Sequence, residues 1–364
     1  MKAEVITLHT VYNYGTQLQM YATQEKLKQY FDEVTFIDYR RSDTYGRNFI
    51  RTFTKGNPYK IPVILPTILC WKYKFGKFQK QNIKFTEETY LCEEDFRNFQ
   101  AQADVYFAGS DQIWNAGWNN GVLAPFYLSF VPDDKLKYAY ASSFGRSRLN
   151  DDEVMTSKRY IDRFNFITVR EESGVKILNK QYQYQNAYRI LDPTLAMPPE
   201  FWRAVESEKK IKKEYILIYN LQRSRAFDQY ASELSRRTGI KLYRLCTRLD
   251  QVLKNGTSIL IPDIFEFVSL IDHAKYVLTD SFHATAFSMN LGTEPICIYP
   301  SEYSGRIDEF LKLVGEEQRH IRNYKDYDVI NRHVNWTRVQ KVLEKERVRT
   351  DIFLKNVVEN VMQA

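Results

Sequence analysis

The run Thr279-Asp280-Ser281-Phe282-His283-Ala284 follows the apolar Tyr276-Val277-Leu278 and leads into a small-residue helical pattern. A strand that ends at a helix start presents backbone N–H groups without intrahelical partners, which makes an anion site. His283 falls in the first turn of that helix. There its imidazole can contact an anion or move a proton near neutrality, or serve as a satisfied structural side chain. Ser281 stands beside it. A second group, Gly109-Ser110-Asp111-Gln112-Ile113-Trp114-Asn115, follows the apolar Val105-Tyr106-Phe107-Ala108. Asp111 reads there as a general base, an acceptor for a sugar hydroxyl or an N-cap residue, with Ser110 and Gln112 as polar neighbours.

Cations occur at similar places. Arg170, in Val169-Arg170-Glu171-Glu172-Ser173-Gly174, carries a planar fork that clamps carboxylate or phosphate, or pairs with Glu171 or Glu172. Arg306 opens a helical pattern after Ser304-Gly305, and Arg146 ends the run Ser142-Ser143-Phe144-Gly145. Near the start, Asn13-Tyr14-Gly15-Thr16-Gln17 follows the first strand pattern, and Gly15 permits close backbone approach at a helix start.

The elements that position these groups alternate. Strands are expected at 4–8, 34–38, 104–109, 137–142 and 166–169, with a helix over 16–30. The rhythm resumes with strands at 215–219, 241–245, 258–261, 276–279 and 294–299. Helices are expected at 227–238, 264–273, around His283 and over 335–362. Such βαβ alternation predicts an α/β chain with two Rossmann-like domains, whose ligands sit outside the carboxyl ends of the strands. The prolines and charges after Leu191 place the boundary near residue 200, giving domains 1–200 and 201–364. The C-terminal helix is long enough to cross back over the first.

Composition narrows the class. The chain has 364 residues, 44% hydrophobic and 27% charged, as a folded two-domain protein requires. Four scattered cysteines without metal-ligand spacing point to a reducing cytoplasm. No segment has the form of a signal peptide or approaches the ~20 apolar residues of a membrane span. GxGxxG, Walker A, HExxH and CxxC are absent from the sequence, which argues against phosphate-loop nucleotide and zinc-hydrolase chemistry. The net charge of +7 is uneven: residues 44–86 hold nine Lys and Arg and no Asp or Glu, so the remainder is slightly acidic. This insertion surrounds Ile61-Pro62-Val63-Ile64-Leu65-Pro66 with basic and aromatic residues, a composition suited to an anionic membrane surface, or to a lid with a solvated face. Its two prolines argue against one long helix. With the positive charge confined to an apolar-rich insert, no nucleic acid partner is expected.

Taken in order, Asn13–Gln19, Gly109–Asn115, Val169–Gly174, Leu191-Asp192-Pro193-Thr194 and Thr279–Ala284 resemble the polysaccharide pyruvyl transferase family, over roughly Val5 to Gly315. The resemblance implies a glycosyltransferase-B-like pair of domains facing a cleft. It implies transfer of the enolpyruvyl carbons of phosphoenolpyruvate onto two sugar hydroxyls, with no metal and no cofactor. The acceptor would be a sugar or lipid-linked oligosaccharide of a capsule, exopolysaccharide or cell-wall precursor, with peripheral membrane contact through about 47–84. On this reading His283 is the acid or phosphate partner, and Asp111 orients or deprotonates the acceptor. Arg170, Arg306 and the helix start before His283 hold the donor, and Arg146 is a further cation. Asn13, Tyr14, Gly15, Ser110, Gln112 and Ser281 are substrate contacts. Many members carry Arg-Leu-His where this chain has Ser281-Phe282-His283, so either Arg306 or Arg146 supplies that cation from another loop, or the donor differs. A nucleotide-sugar glycosyltransferase and a non-catalytic carbohydrate-binding protein are the alternative functions.

Overall fold

The computed structural model describes residues 1–44, 46–54, 56–222, 224–298 and 305–364. It divides into two compact units, one of residues 1–56, 79–196 and 346–364, the other of 57–78 and 197–345. Segment 57–78, attached to the first domain in the sequence reading, therefore belongs to the second unit, and the tail from Glu346 onward belongs to the first.

The strands of the first unit are β1 (Lys2–Ile6), β2 (Glu33–Tyr39), β3 (Phe85–Tyr90), β4 (Val105–Ala108), β5 (Leu136–Ser142), β6 (Phe166–Val169) and β7 (Ala187–Arg189). They form one parallel sheet in the order β3-β2-β1-β4-β5-β6-β7. The second unit holds β8 (Tyr215–Tyr219), β9 (Lys241–Cys246), β10 (Thr257–Leu260), β11 (Tyr276–Thr279) and β12 (Glu294–Cys297). Their order, β10-β9-β8-β11-β12, is again parallel throughout. Parallel strands must be covered on both faces, and the central ones are accordingly near-continuous apolar runs. Ile6, Tyr106, Ala139 and Ile167 enter one core of the first sheet, while Val5, Phe36, Phe107 and Tyr138 enter the other.

The helices are α1 (Tyr14–Leu27), α2 (Gly46–Thr54), α3 (Ile61–Asn82), α4 (Ala116–Asn119), α5 (Asp151–Ile161), α6 (Glu172–Ile177), α7 (Pro193–Ala196), α8 (Pro199–Val205), α9 (Arg225–Thr238), α10 (Ile264–Asp272), α11 (Phe282–Leu291), α12 (Gly305–Val314) and α13 (Trp336–Gln363). In the last turns of α13, Phe353, Leu354 and Val357 join a core of the first sheet, and Asn360 donates to the Tyr138 hydroxyl at 2.9 Å.

Helix α3 corrects the expectation that two prolines would break the insertion. It is a single 22-residue helix with Pro66 inside it. Pro62 lies in the first turn, where its missing N–H would have no intrahelical partner. Pro66 forgoes one ladder bond on the solvent side of the helix. Losing that bond costs about 3 kcal/mol. Burying Ile64, Ile68, Trp71, Phe75 and Phe78 at helical spacing contributes roughly 1.5–3 kcal/mol each, so burial prevails.

Candidate active site

In both sheets the strand order reverses beside the first strand, and the chemically dense loops leave the strands at those reversals. In the first unit the reversal lies between β1 and β4. Gly109, just after β4, approaches β1 so closely that a Cβ there would lie 3.0 Å from the Thr7 Cβ. Ser110 is fully buried and accepts from the Thr7 hydroxyl through its carbonyl at 2.7 Å. Asp111 follows in a left-handed conformation, φ +71°. That is uncommon outside Gly and Asn, and strain of this kind gathers where a side chain must be aimed.

Contacts among the described residues aim it. The Thr16 hydroxyl, in the first turn of α1, donates to Asp111 Oδ2 at 2.8 Å, and the Gln112 N–H donates to Oδ1 at 2.9 Å. Arg170 Nη2 reaches Oδ1 at 3.4 Å. Arg170 itself has no exposed side-chain surface. Its Nη1 donates to Asp192 Oδ2 at 2.8 Å and its Nε to Glu171 Oε1 at 2.9 Å. Ser143 and Ser110 add hydroxyl bonds to Glu171 and Asp192, and Thr194 donates to Asp192 through both its N–H and its hydroxyl. Burial opposes the guanidinium charge, but the carboxylates of Glu171, Asp192 and Asp111 overcome it and hold its pKa above the ordinary value.

Arg170 thus binds the protein's own carboxylates in the arrangement described, as the pairing alternative in its sequence reading allowed, and with an additional partner in Asp192. Arg170→Met is expected to destabilise the protein by about 3–5 kcal/mol, because it leaves buried carboxylates uncompensated. Denaturant unfolding of the variant checks this. A loss below about 1 kcal/mol would show that the acids simply protonate.

The second unit repeats the geometry. Its reversal lies between β8 and β11. Asp280, after β11, accepts from the N–H groups of Leu221 and Gln222, each at 2.7 Å, and from the Asn220 amide at 2.9 Å. One carboxylate therefore ties the loop after β8 to the start of α11. Ser281 is the N-cap of α11, its hydroxyl accepting from the Ala284 N–H at 3.4 Å. His283 is buried in the first turn, its ring edge-on to Phe282 at 5.3 Å. The Arg306 guanidinium stands over the same Phe282 ring, 6.0 Å from its centroid, and Phe310 packs at that ring's edge. A histidine, an arginine and a helix N-terminus are therefore gathered around one phenyl ring.

Burial pushes the Asp280 carboxyl up to about 6, against the pull of the Leu221 and Gln222 N–H groups. A carboxyl whose folded pKa exceeds its unfolded value favours the native state when protonated. Its stabilising contribution is therefore full below about pH 4 and is lost as pH rises through about 6. Asp280→Asn is expected to remove that pH dependence, worth on the order of 3 kcal/mol. The unfolding free energies of both proteins, measured from pH 4 to 7, should lie closest at the acid end, where both side chains are neutral, and separate toward pH 7 as only the wild type loses stability. Parallel curves would refute the assignment.

The remaining expected residues fall in two groups. Asn13 is the N-cap of α1, accepting from the Gly15 and Thr16 N–H groups, and Tyr14 and Gly15 are buried in that turn. Gln112 accepts from the Asn115 amide at 2.7 Å. Gly145, at φ +66°, packs so closely on this amide pair that a Cβ would fall 2.1 Å from Gln112 Oε1. These residues shape the surroundings of Asp111. Arg146 does not join them, because its guanidinium grips both oxygens of Glu153 at 2.8 and 2.9 Å. Arg306, by contrast, shares the Phe282 ring with His283.

Thr16, Glu171, Asp192, Asn220 and Asp280 escaped the sequence-based choice of site residues, though four of them lie inside motifs already singled out. A further cluster also escaped it: the His9 ring bonds Asp38 at 2.8 Å, and Arg40 and Thr89 bond the same carboxylate. Burial raises the Asp38 pKa, but these partners outweigh it and hold the carboxyl well below its usual range. Of possible cation ligands, Glu206, Asp272 and His273 lie close together, but Arg203 bonds both oxygens of Asp272.

No curated protein matches the chain. Among solved structures, UDP-N-acetylglucosamine 2-epimerase from Rickettsia bellii is similar with a TM-score of 0.57 at 8% identity, over 100% of this chain and 97% of that one. A putative UDP-N-acetylglucosamine 2-epimerase from Listeria monocytogenes gives 0.53 at 11%, over 94% and 90%. A UDP-glucosyltransferase from Polygonum tinctorium gives 0.51 at 10%, over 100% and 98%. These likenesses establish the α/β, glycosyltransferase-B-like fold. The sequence model of the polysaccharide pyruvyl transferases matches residues 13–302, from the cap of α1 past the helix that carries His283. The chain belongs to the polysaccharide pyruvyl transferase family.

Proposed function

We propose that the protein transfers the enolpyruvyl group of phosphoenolpyruvate to two hydroxyls of one sugar in a polysaccharide precursor, forming a cyclic ketal and releasing phosphate. The observation that carries this reading is the matched family span together with the strained, buried Asp111 at the β1/β4 reversal. The donor bears a phosphate and a carboxylate, and the cationic group of the second unit suits it. Arg306 and the N-terminus of α11 bind the anion, and His283 supplies the proton to the methylene carbon. The resulting oxocarbenium-like carbon is attacked by the first sugar hydroxyl. Its O–H proton passes to Asp111, the C–O bond to phosphate breaks, and phosphate leaves with a proton. The second hydroxyl then closes the ring and gives up its own proton. One proton enters at carbon, two leave the sugar, and one departs on phosphate. Arg170 acts through Asp111 as a positioning residue, holding that carboxylate in place. No metal or cofactor takes part.

The acceptor in this reading is a sugar or lipid-linked oligosaccharide, met by peripheral contact at the cytoplasmic face of the membrane. The deciding experiment incubates the protein with phosphoenolpyruvate and a panel of lipid-linked or synthetic galactosides. Expected are phosphate release and an acceptor mass increased by one pyruvate ketal. Consumption of a nucleotide sugar with no phosphate released from phosphoenolpyruvate would overturn the proposal.

A further inference from the structure

We propose that the exposed face of α3, with the adjoining segment Leu249–Leu253, is a docking surface for an anionic phospholipid bilayer. The inference takes its purpose from the lipid-linked acceptor proposed above, while its physical basis is independent of the chemistry.

Helix α3 has two unlike faces. One is anchored within the second unit. Trp71 Nε1 donates to the Thr247 carbonyl at 2.7 Å, the Leu249 N–H donates to the Thr67 hydroxyl at 3.2 Å, and Phe78 packs edge-on to Phe265. The opposite face carries Pro62, Leu65, Pro66, Leu69, Lys72, Tyr73, Gly76 and Lys77, all exposed and recurring every three or four residues. Leu69 is 58% exposed and Tyr73 69%, and Tyr59, one residue before Lys60 at the helix entry, is 89% exposed. The bonds from Thr247 and Leu249 also fix the neighbouring segment against α3, and that segment presents Leu253 at 92% exposure beside the exposed Val252. A soluble fold gains nothing by holding this many large apolar side chains outward on rigid elements.

Charge selects the occupant. From Tyr45 to Thr86 the sequence contains no carboxylate, and Lys60, Lys72 and Lys77 are exposed alongside the apolar residues. The acids of the neighbouring loops are already matched: Asp263 pairs with Lys74 and Asp250 with Arg248. The face is therefore apolar and positive, with tyrosines whose rings and hydroxyls suit the headgroup boundary. No helix among the described residues is long and apolar enough to cross a membrane. An amphipathic helix of this kind lies in the interface, its leucines inserted and its lysines against anionic headgroups.

The test uses the full chain and vesicles of phosphatidylcholine with or without phosphatidylglycerol. Binding is expected only with the anionic lipid, and should fall as salt shortens the screening length. Replacing Leu69 and Tyr73 together by Ser should weaken binding about tenfold or more. Lys60→Gln, Lys72→Gln and Lys77→Gln combined should have a similar effect. Both variants should keep the wild-type melting temperature and full activity on a soluble acceptor. Absence of binding to anionic vesicles, undiminished binding by the variants, or capture by a protein partner alone would overturn the proposal. So would loss of stability in step with binding. Vesicle binding by a protein that releases no phosphate from phosphoenolpyruvate would refute the catalytic reading and leave this one standing.

Discussion

Asp111→Asn is expected to lower kcat for ketal formation by about 10²–10⁴-fold, the usual contribution of a positioned general base. The variant isolates the chemistry. Asn is nearly isosteric and tolerates the left-handed backbone that Asp111 adopts. Its amide oxygen can still accept from the Gln112 N–H, and its NH2 can donate to the Thr16 hydroxyl in place of the bond that hydroxyl now gives. Arg170 keeps Asp192 and Glu171 at 2.8 and 2.9 Å, so its charge remains paired and the fold should hold. What disappears is a carboxylate able to take a hydroxyl proton. Steady-state phosphate release with varied acceptor should therefore show a lower kcat and a nearly constant KM. A kcat within about threefold of wild type would remove Asp111 from the mechanism.

The same group of residues shows where sequence reading succeeds and where it stops. The central strands were legible because both their faces are buried, so Tyr276–Leu278 and Tyr215–Tyr219 are unbroken apolar runs. The edge strands β3 and β7 were not. Phe85–Tyr90 interleaves Thr and Glu that face solvent, and Ala187–Arg189 is only three residues long. Their strand character comes from pairing with β2 and β6, a tertiary contact that local pattern does not encode. Helix α3 failed for the related reason that proline propensity is local, whereas the burial that outweighs it is not.

The site divides along the same line. Asp111, His283 and Arg306 could be singled out because their residue types carry chemistry wherever they stand. Which cation faces which anion depends on side chains distant in sequence. Arg170 meets Asp192 after 22 residues and Asp111 across 59. Arg146, an equal candidate by sequence, turns instead to Glu153 seven residues on. In an α/β sheet the strand order, not the spacing along the chain, brings such groups to one end. That order was not readable from hydrophobic pattern alone.

Those assignments make the second unit separable by kinetics. His283→Ala is expected to lower kcat by about 10²–10⁴-fold, because the proton delivered to carbon loses its donor. Arg306→Met should act on binding, raising the KM for phosphoenolpyruvate by roughly 10- to 100-fold, as removal of a charge-assisted contact does. The two effects are distinct although both side chains contact one phenyl ring, Phe282. Arg146→Met serves as the contrast: its partner is Glu153, so the KM for the donor should be unchanged. The fold should tolerate all three changes, since Ser281 still caps α11 and Asp280 still holds the Leu221 and Gln222 N–H groups. Initial rates at varied phosphoenolpyruvate separate the outcomes. If Arg146→Met raised the donor KM while Arg306→Met left it unchanged, the anion site would belong to the first unit. His283 would then lose its role as proton donor and remain a packed side chain in the first turn of α11.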